Sequence, residues 1–197
     1  MSTSNTANIA LVKPTPGTKE PWSQTVVNAN WDKVDAAFGE SPTKITTTTI
    51  SNDATEKSLW LWTIAGNSAA QGSVYRIVLF GTADITGTPT GTFRLKLGGT
   101  TLLTCAVTCA ANTNRPWRAR GELMCMSTGG AGTWRASFKL EDRMAAAEHW
   151  TMDTSVSTTT KDTTTGQGFE VSFQWSVASA SNVLRADVGF AKRLTNL

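Results

Sequence analysis

The sequence predicts a mainly β protein in which an N-terminal arm and one helix precede an antiparallel β-sandwich. Two observations indicate this. Threonine, which favours strands over helices, is over-represented along the chain. From residue 58 onward, apolar residues recur with a period of two between turn signals, which is typical of strands. Only residues 21–39 carry a helical repeat instead. We therefore expect three regions: an arm and helix over 1–40, a linker or edge strand over 41–57, and the sandwich over 58–197.

The predicted helix carries one apolar seam. Its members recur at spacings of four, three and four residues, so they share one side of a helix; they are Val27, Trp31, Val34 and Phe38. Pro21 suits the first helical position, and Gly39 lies where a C-terminal cap belongs. A single helix cannot shield this seam. It either packs on its own domain or meets a partner, which would be a copy of itself or a neighbouring protein.

Residues 1–20 read as an extended arm. Ile9, Leu11 and Val12 form a small apolar patch, and the prolines and glycine over 14–17 prevent regular structure. The arm is either a docking segment that lies along a partner or a free tail. The segment KITTTTIS, over 44–51, is either an edge strand or part of the linker.

The predicted strands follow one another with turn signals between them. They cover 58–64, 73–84, 92–97, 100–108, 115–127, 133–142, 169–177 and 183–194. Gly98-Gly99 is a two-residue hairpin signal. Within 58–64, Trp60, Trp62 and Ile64 would share one face and Leu59 and Leu61 the other. For 143–165 we expect one helical turn at MAAAEHW and a polar stretch without strand character.

Eight or nine strands in about 140 residues, with no helices between them, are typical of a sandwich or barrel. We favour an eight-stranded jelly roll, with an immunoglobulin-like sandwich as the alternative. The segments 58–64 and 73–80 have apolar residues on both faces. One face would fill the sandwich, and subunit packing would cover the other. A three-fold assembly would satisfy both the strands and the helix seam.

Composition excludes several classes of protein. The net charge is only +3 and the basic residues are scattered, which does not indicate a nucleic-acid partner. No apolar run reaches 18 residues and the N-terminus lacks the pattern of a secretory signal, so we expect neither membrane insertion nor secretion. Cys105, Cys109 and Cys125 are an odd set without a signal peptide, so we interpret them as buried apolar residues.

No catalytic constellation is present in the sequence. His149 is the only histidine, and the motifs of serine hydrolases, zinc proteases and nucleotide-binding loops are missing. Glu141 and Asp142 are adjacent on a strand, so they point to opposite faces and cannot act on one bond. We interpret them as surface charges. We expect no enzymatic activity, no cofactor and no metal.

The segment NIALVKPTPGTKEPWSQTVVNANWDKVDAAFG, over 8–39, resembles an N-terminal motif of tailed-bacteriophage virion proteins. The matching positions are Pro16, Gly17, Trp22, Asn28, Asn30, Trp31, Asp32 and Asp35. The stretch over 73–104 looks like the jelly-roll domain of phage capsid decoration, head-fibre and tail-fibre proteins.

The resemblance implies a homotrimer made in the cytoplasm of a host bacterium and carried on the outer surface of a virion. Docking would use a set of N-terminal residues: Ile9, Leu11, Val12, Trp22, Val27, Asn28, Asn30, Trp31, Val34 and Phe38. The partner would be the major capsid protein, as for a decoration protein, or another virion protein. The alternative is a tail fibre or tail tip whose jelly roll binds a host-surface saccharide. Exposed loop tryptophans, such as Trp117 or Trp150, would favour that alternative.

Overall fold

The computed structural model describes residues 43–44, 46–145 and 149–194, with side chains described over 46–145 and 158–194. These residues belong to one compact unit that runs from Pro42 to Leu197. The predicted arm and helix lie outside the described residues, as do all ten residues expected to dock. Their predictions stay predictions.

The described chain is mainly β, as predicted. The strands are β1 (Thr43–Lys44), β2 (Thr48–Ser51), β3 (Lys57–Ile64), β4 (Val74–Ile85), β5 (Thr90–Leu97), β6 (Thr100–Thr108), β7 (Asn112–Cys125), β8 (Thr133–Asp142), β9 (His149–Thr160), β10 (Gln167–Trp175) and β11 (Val183–Arg193). KITTTTIS forms edge strands, since β1 and β2 both pair with β11.

All strand pairs are antiparallel, and the strands form two sheets. The seven-stranded sheet has the order β1-β11-β4-β7-β8-β9, with β2 also on β11, and the four-stranded sheet has the order β3-β10-β5-β6. The hairpin β5–β6 turns at Gly98 and Gly99, as predicted. Their φ angles of 52° and 76° lie in the left-handed region, which glycine adopts without steric cost.

The two sheets pack face to face around one apolar core. Phe93, Leu95 and Leu97 of β5 alternate inward, as predicted, and are fully buried. Phe93 meets Trp117 of the opposite sheet with ring centroids 5.1 Å apart. A Cβ added at Gly121 of β7 would lie only 2.3 Å from Cδ1 of Leu95, so any larger residue there would force the Leu95 side chain to shift. The packing of the two sheets therefore depends on large side chains of one sheet that lie opposite a glycine of the other.

A bulge in β3 overturns the predicted faces of that strand. Pairing with β10 passes from Trp60 to Ser58 between Val171 and Ser172, so Leu59 is the extra residue. Leu59 is consequently buried, whereas Leu61 remains 54% exposed. The expectation that both leucines share the second face was wrong, because a bulge shifts the alternation by one residue.

Three other stretches also differ from the prediction. The stretch expected to lack strand character contains β9, which pairs with β8 over most of its length. Its threonines suit a strand once a neighbour supplies hydrogen bonds. The predicted helical turn is wrong within the described residues, because 143–145 are irregular and β9 begins at His149. The strand predicted over 169–177 ends at Trp175 as β10, and Val177 beyond it is half exposed.

Candidate interaction surface

The outer face of the seven-stranded sheet, which points away from the four-stranded sheet, carries the candidate site. On β4, Ile77 and Leu79 belong to the core, so the intervening Val78 and Phe80 point outward. Pairing then aligns one row of side chains across four strands: Val188, Phe80, Arg118 and Glu141. The next row is Phe190, Val78, Arg120 and Lys139. Apolar residues thus lie on β11 and β4, and charged residues lie beside them on β7 and β8.

Basic side chains gather on this surface, which we call the basic face. Among the described residues they are Arg76, Arg118, Arg120, Arg135, Lys139, Arg185 and Lys192, and they outnumber the carboxylates Asp84, Glu122, Glu141 and Asp187. The basic residues are scattered along the sequence, but the fold gathers these seven on one surface. Antiparallel pairing brings together strands that are far apart in sequence. The outward positions were readable from the alternation, but the neighbours were not.

Glu122 lies between two arginines at the centre of the basic face. It accepts hydrogen bonds from Arg76 Nε at 2.7 Å and Arg120 Nη2 at 2.7 Å. Partial burial alone would raise the pKa of Glu122, but the hydrogen bonds and charges of Arg120 and Arg76 outweigh it and lower that pKa. Glu122 therefore stays ionised and neutralises part of the charge of its two neighbours.

Arg118 is held less firmly. Its Nη1 lies 3.6 Å from Glu141, whose other oxygen is 2.9 Å from Lys139 Nζ. The Arg118 guanidinium lies 5.3 Å from the centroid of the Phe80 ring, which is a cation–π arrangement. Its Nε is buried and donates to no group among the described residues. A buried N–H without an acceptor is uncommon in folded proteins.

A pocket of about 280 Å³ opens at this end of the basic face. It is lined by Phe80, Pro116, Trp117, Arg118, Glu141, Asp142 and Arg143. Arginine and carboxylate groups therefore face apolar walls across a space suited to one small polar group.

Asp142 corrects a second expectation, because it is buried and not a surface charge. Its Oδ1 accepts hydrogen bonds from the backbone N–H groups of Met144 at 3.0 Å and Ala145 at 3.4 Å. It thereby fixes the chain just after β8. Glu141 and Asp142 do point to opposite faces, as predicted. Glu141 places its charge on the outer face, and Asp142 supports the wall of the pocket.

The exposed apolar residues of the basic face are few. Phe80 is 38% exposed, its register partner Val188 is 54% exposed, and Met124 of β7, beside Arg135 of β8, is 41% exposed. The prediction that 73–80 has apolar residues on both faces is therefore confirmed. Trp117, however, is buried against the core and donates its Nε1–H to the carbonyl of Thr82 at 3.3 Å. It is not an exposed loop aromatic, and the side chain of Trp150 lies outside the described residues.

The remaining candidate residues show no reactive chemistry. Cys105, Cys109 and Cys125 are free and buried, as predicted. Burial is the main cause that raises the pKa of Cys109 to about 11, so its thiol stays protonated at neutral pH. Within the described ranges, no three His, Cys, Asp or Glu side chains converge as metal ligands would. The same part of the chain contains no helix that is long and apolar enough to cross a membrane.

Comparison with known proteins establishes no family for the chain. No family model and no curated protein sequence matches the chain. Among solved structures, the chain is similar to the CBM2 module of the evolved Dit of Lactobacillus casei BL23 phage J-1. The TM-score is 0.36 and the identity is 12%, over 70% of each chain. A TM-score this low does not establish a shared fold.

Proposed function

We propose that the chain is a non-enzymatic structural protein displayed on the outer surface of a tailed-bacteriophage virion. The observation that carries the proposal is the N-terminal pattern over 8–39, with its proline-glycine arm, Trp22, Asn28, Asn30 and Trp31. The architecture is consistent with it. Residues after the N-terminal segment form a self-contained sandwich, which suits a domain that is carried by an attachment segment and presented to the exterior.

We further infer that the sandwich is a jelly-roll variant. The order β2-β11-β4-β7 in one sheet faces the order β3-β10-β5-β6 in the other. These two sets of four antiparallel strands match the eight strands of a jelly roll, which is common in viral capsid and lectin domains. The hairpin β8–β9 then extends the first sheet beyond β7. An immunoglobulin-like sandwich would not pair the first and last strands of this set, β2 and β11, in antiparallel fashion.

The preferred role is that of a homotrimeric capsid decoration protein that docks through its N-terminal arm and helix. Native mass spectrometry of the purified chain should show a trimer. Trp31→Ala should weaken the trimer or the docking, because truncation of a packed tryptophan costs about 3–5 kcal/mol. The far-UV spectrum of the β-domain should remain. A 21 kDa species at micromolar concentration would contradict the trimer.

Attachment can be tested separately from trimerisation. Deletion of residues 1–20 should leave the sandwich folded and abolish decoration of particles, since Ile9, Leu11 and Val12 would bury against the virion partner. Full occupancy by the truncated protein would identify the arm as a tail without a docking role.

A second candidate function is a tail-fibre or tail-tip protein that binds a host-surface saccharide. The observation that favours it is the basic face with its pocket at Phe80 and Arg118, since polar groups that converge on a small concave space suit a ligand. Antibody labelling of intact particles distinguishes the two candidates. Label over the head supports decoration, and label at the tail supports recognition.

A further inference from the structure

We propose that the basic face binds an anionic polysaccharide, a sugar chain that carries carboxylates, with one sugar unit seated in the pocket beside Arg118. The proposal rests on the second candidate function above and deepens it by naming the chemical class of the saccharide. It rests on the charge of the face, on its width, and on the groups that line the pocket.

The first step is charge. The whole chain carries a net charge of only +3, yet the basic side chains of four strands meet on this one face. Arg135 and Lys192 are exposed there and form no ion pair with any described residue. A surface with an excess of positive charge attracts anions and raises their local concentration. The ligand should therefore be negatively charged.

The second step is width. The basic residues lie on β11, β4, β7 and β8, which are neighbours in this order. Four strands span about 14 Å, since neighbouring strands lie roughly 4.8 Å apart. A small anion would meet one or two of these side chains. An extended polymer with charges at regular intervals would meet several at once, which favours a chain over a single small molecule.

The third step is the pocket. The Arg118 side chain is 41% exposed and its guanidinium carries several N–H groups, which can donate to a carboxylate or ring oxygen of a sugar. Glu141, 24% exposed beside Lys139, accepts hydrogen bonds and so suits sugar hydroxyls. Phe80 and Pro116 provide apolar walls for the C–H faces of a sugar ring. A ligand with carboxylates, hydroxyls and apolar faces fits all three.

The same residues argue against a protein partner. A protein partner would favour an interface centre that is apolar and poor in charge. On the basic face the centre is instead the charged column of Arg118, Arg120 and Glu122, and Phe80 and Val188 lie to one side of it.

The test uses the full chain and polygalacturonate, a polymer with a carboxylate on each sugar, in isothermal titration calorimetry. Dextran serves as the neutral polymer. We expect polygalacturonate to bind, dextran not to bind, and affinity to fall as salt rises. Absence of polygalacturonate binding, or equal binding of dextran, would overturn the proposal.

Matched variants locate the site. Arg118→Gln should weaken polygalacturonate binding by about tenfold, since an arginine–carboxylate contact contributes roughly 1.4 kcal/mol. The control Lys57→Gln removes the same charge from β3 of the other sheet, where Lys57 is 49% exposed, and should change affinity by less than about twofold. Equal losses in both variants would mean that only total charge matters and would overturn the assigned site.

A second matched pair tests the apolar wall. Phe80→Ala should weaken binding several-fold, whereas Leu61→Ala, at an exposed apolar residue of the four-stranded sheet, should not. Near-UV circular dichroism confirms that each variant keeps its packing. Polyglutamate is the acidic polypeptide probe. If it binds more tightly than polygalacturonate, the face recognises acidic protein and the proposal is wrong.

Discussion

Arginine, lysine and glutamate lie on the outer faces of both sheets, but the two faces differ in how these residues are paired. On the four-stranded sheet, the carboxylate comes from the loop before β3. Glu56 Oε1 accepts hydrogen bonds from Lys96 Nζ and from Ser172 Oγ, both at 2.7 Å, and Oε2 lies 3.5 Å from Arg94 Nη1. The basic groups of this face are thus bound to a loop of the chain itself. We call it the closed face.

On the basic face the carboxylates come from the strands. Glu122 of β7 and Glu141 of β8 share the outer surface with the arginines and lysine that they neutralise, while Phe80 and Val188 remain exposed. Whether the surface stays available to a partner therefore depends more on where the carboxylate comes from, a loop or a strand, than on the number of ion pairs. A carboxylate on a loop fixes the loop over the sheet, whereas one on a strand leaves the surface available to a partner.

The largest expected effect is on stability, from the closed face. Glu56→Ala removes the acceptor of Lys96 and Ser172 and leaves Arg94 and Lys96 half-buried without their carboxylate. Hydrogen bonds to charged groups contribute about 1.5–3 kcal/mol, so we expect the free energy of unfolding to fall by about 2 kcal/mol. Urea denaturation measures it. Arg118→Gln on the basic face should cost less than about 1 kcal/mol. Equal costs would contradict the distinction between the faces.

A smaller effect concerns acid. Partial burial raises the pKa of Glu56, but hydrogen bonds from Lys96 and Ser172 and the charges of Lys96 and Arg94 outweigh it, so the pKa lies below its ordinary value of 4.5. The folded state therefore binds this proton less tightly than the unfolded state. The stabilisation is complete above pH 4.5 and is lost as pH falls through the folded pKa.

Melting temperatures at pH 7 and pH 3 test this. Other carboxylates with lowered pKa values, Asp84 and Glu122 among them, also destabilise the folded chain in acid, so the comparison is with Glu56→Gln. The variant should lose less on acidification than the original chain. An identical loss would show that Glu56 contributes nothing to acid sensitivity.

Local patterns predicted much of the sandwich and little of its surface. The alternation of Phe93, Leu95 and Leu97 and the turn at Gly98-Gly99 specify a hairpin within 20 residues, so they could be read directly. The bulge at Leu59 could not, because it is set by the register against β10, more than 100 residues away. The threonines of β9 have no apolar period, and only pairing with β8 makes them a strand.

The same limit explains the basic face. Alternation already placed Arg118, Arg120 and Lys139 opposite the inward residues of their own strands. What the sequence lacked was the order of strands, which brings Arg76 beside Glu122 and Phe80 beside Arg118. A site built from four strands cannot be recognised in any short stretch of the sequence. The N-terminal docking residues, such as Trp31, form a local pattern, and for them the prediction remains to be tested.

The smallest expected effect on stability comes from Glu122, the carboxylate of the basic face that lies between Arg76 and Arg120. It also gives the sharpest comparison of the two faces. Glu122→Gln keeps the shape and an acceptor oxygen but removes the charge shared by Arg76 and Arg120. Because Glu122 is 27% exposed and its partners are at a surface, we expect a stability loss of only about 1 kcal/mol. The basic face gains one net positive charge, so polygalacturonate should bind about two- to fivefold more tightly at low salt.

Glu56→Gln, on the closed face, should lower stability and leave that affinity unchanged. Calorimetry and urea denaturation of the two variants therefore separate the faces by the sign of one effect. If Glu122→Gln weakens binding instead, the arginines act through the orientation that Glu122 imposes, and the net charge of the face does not govern recognition.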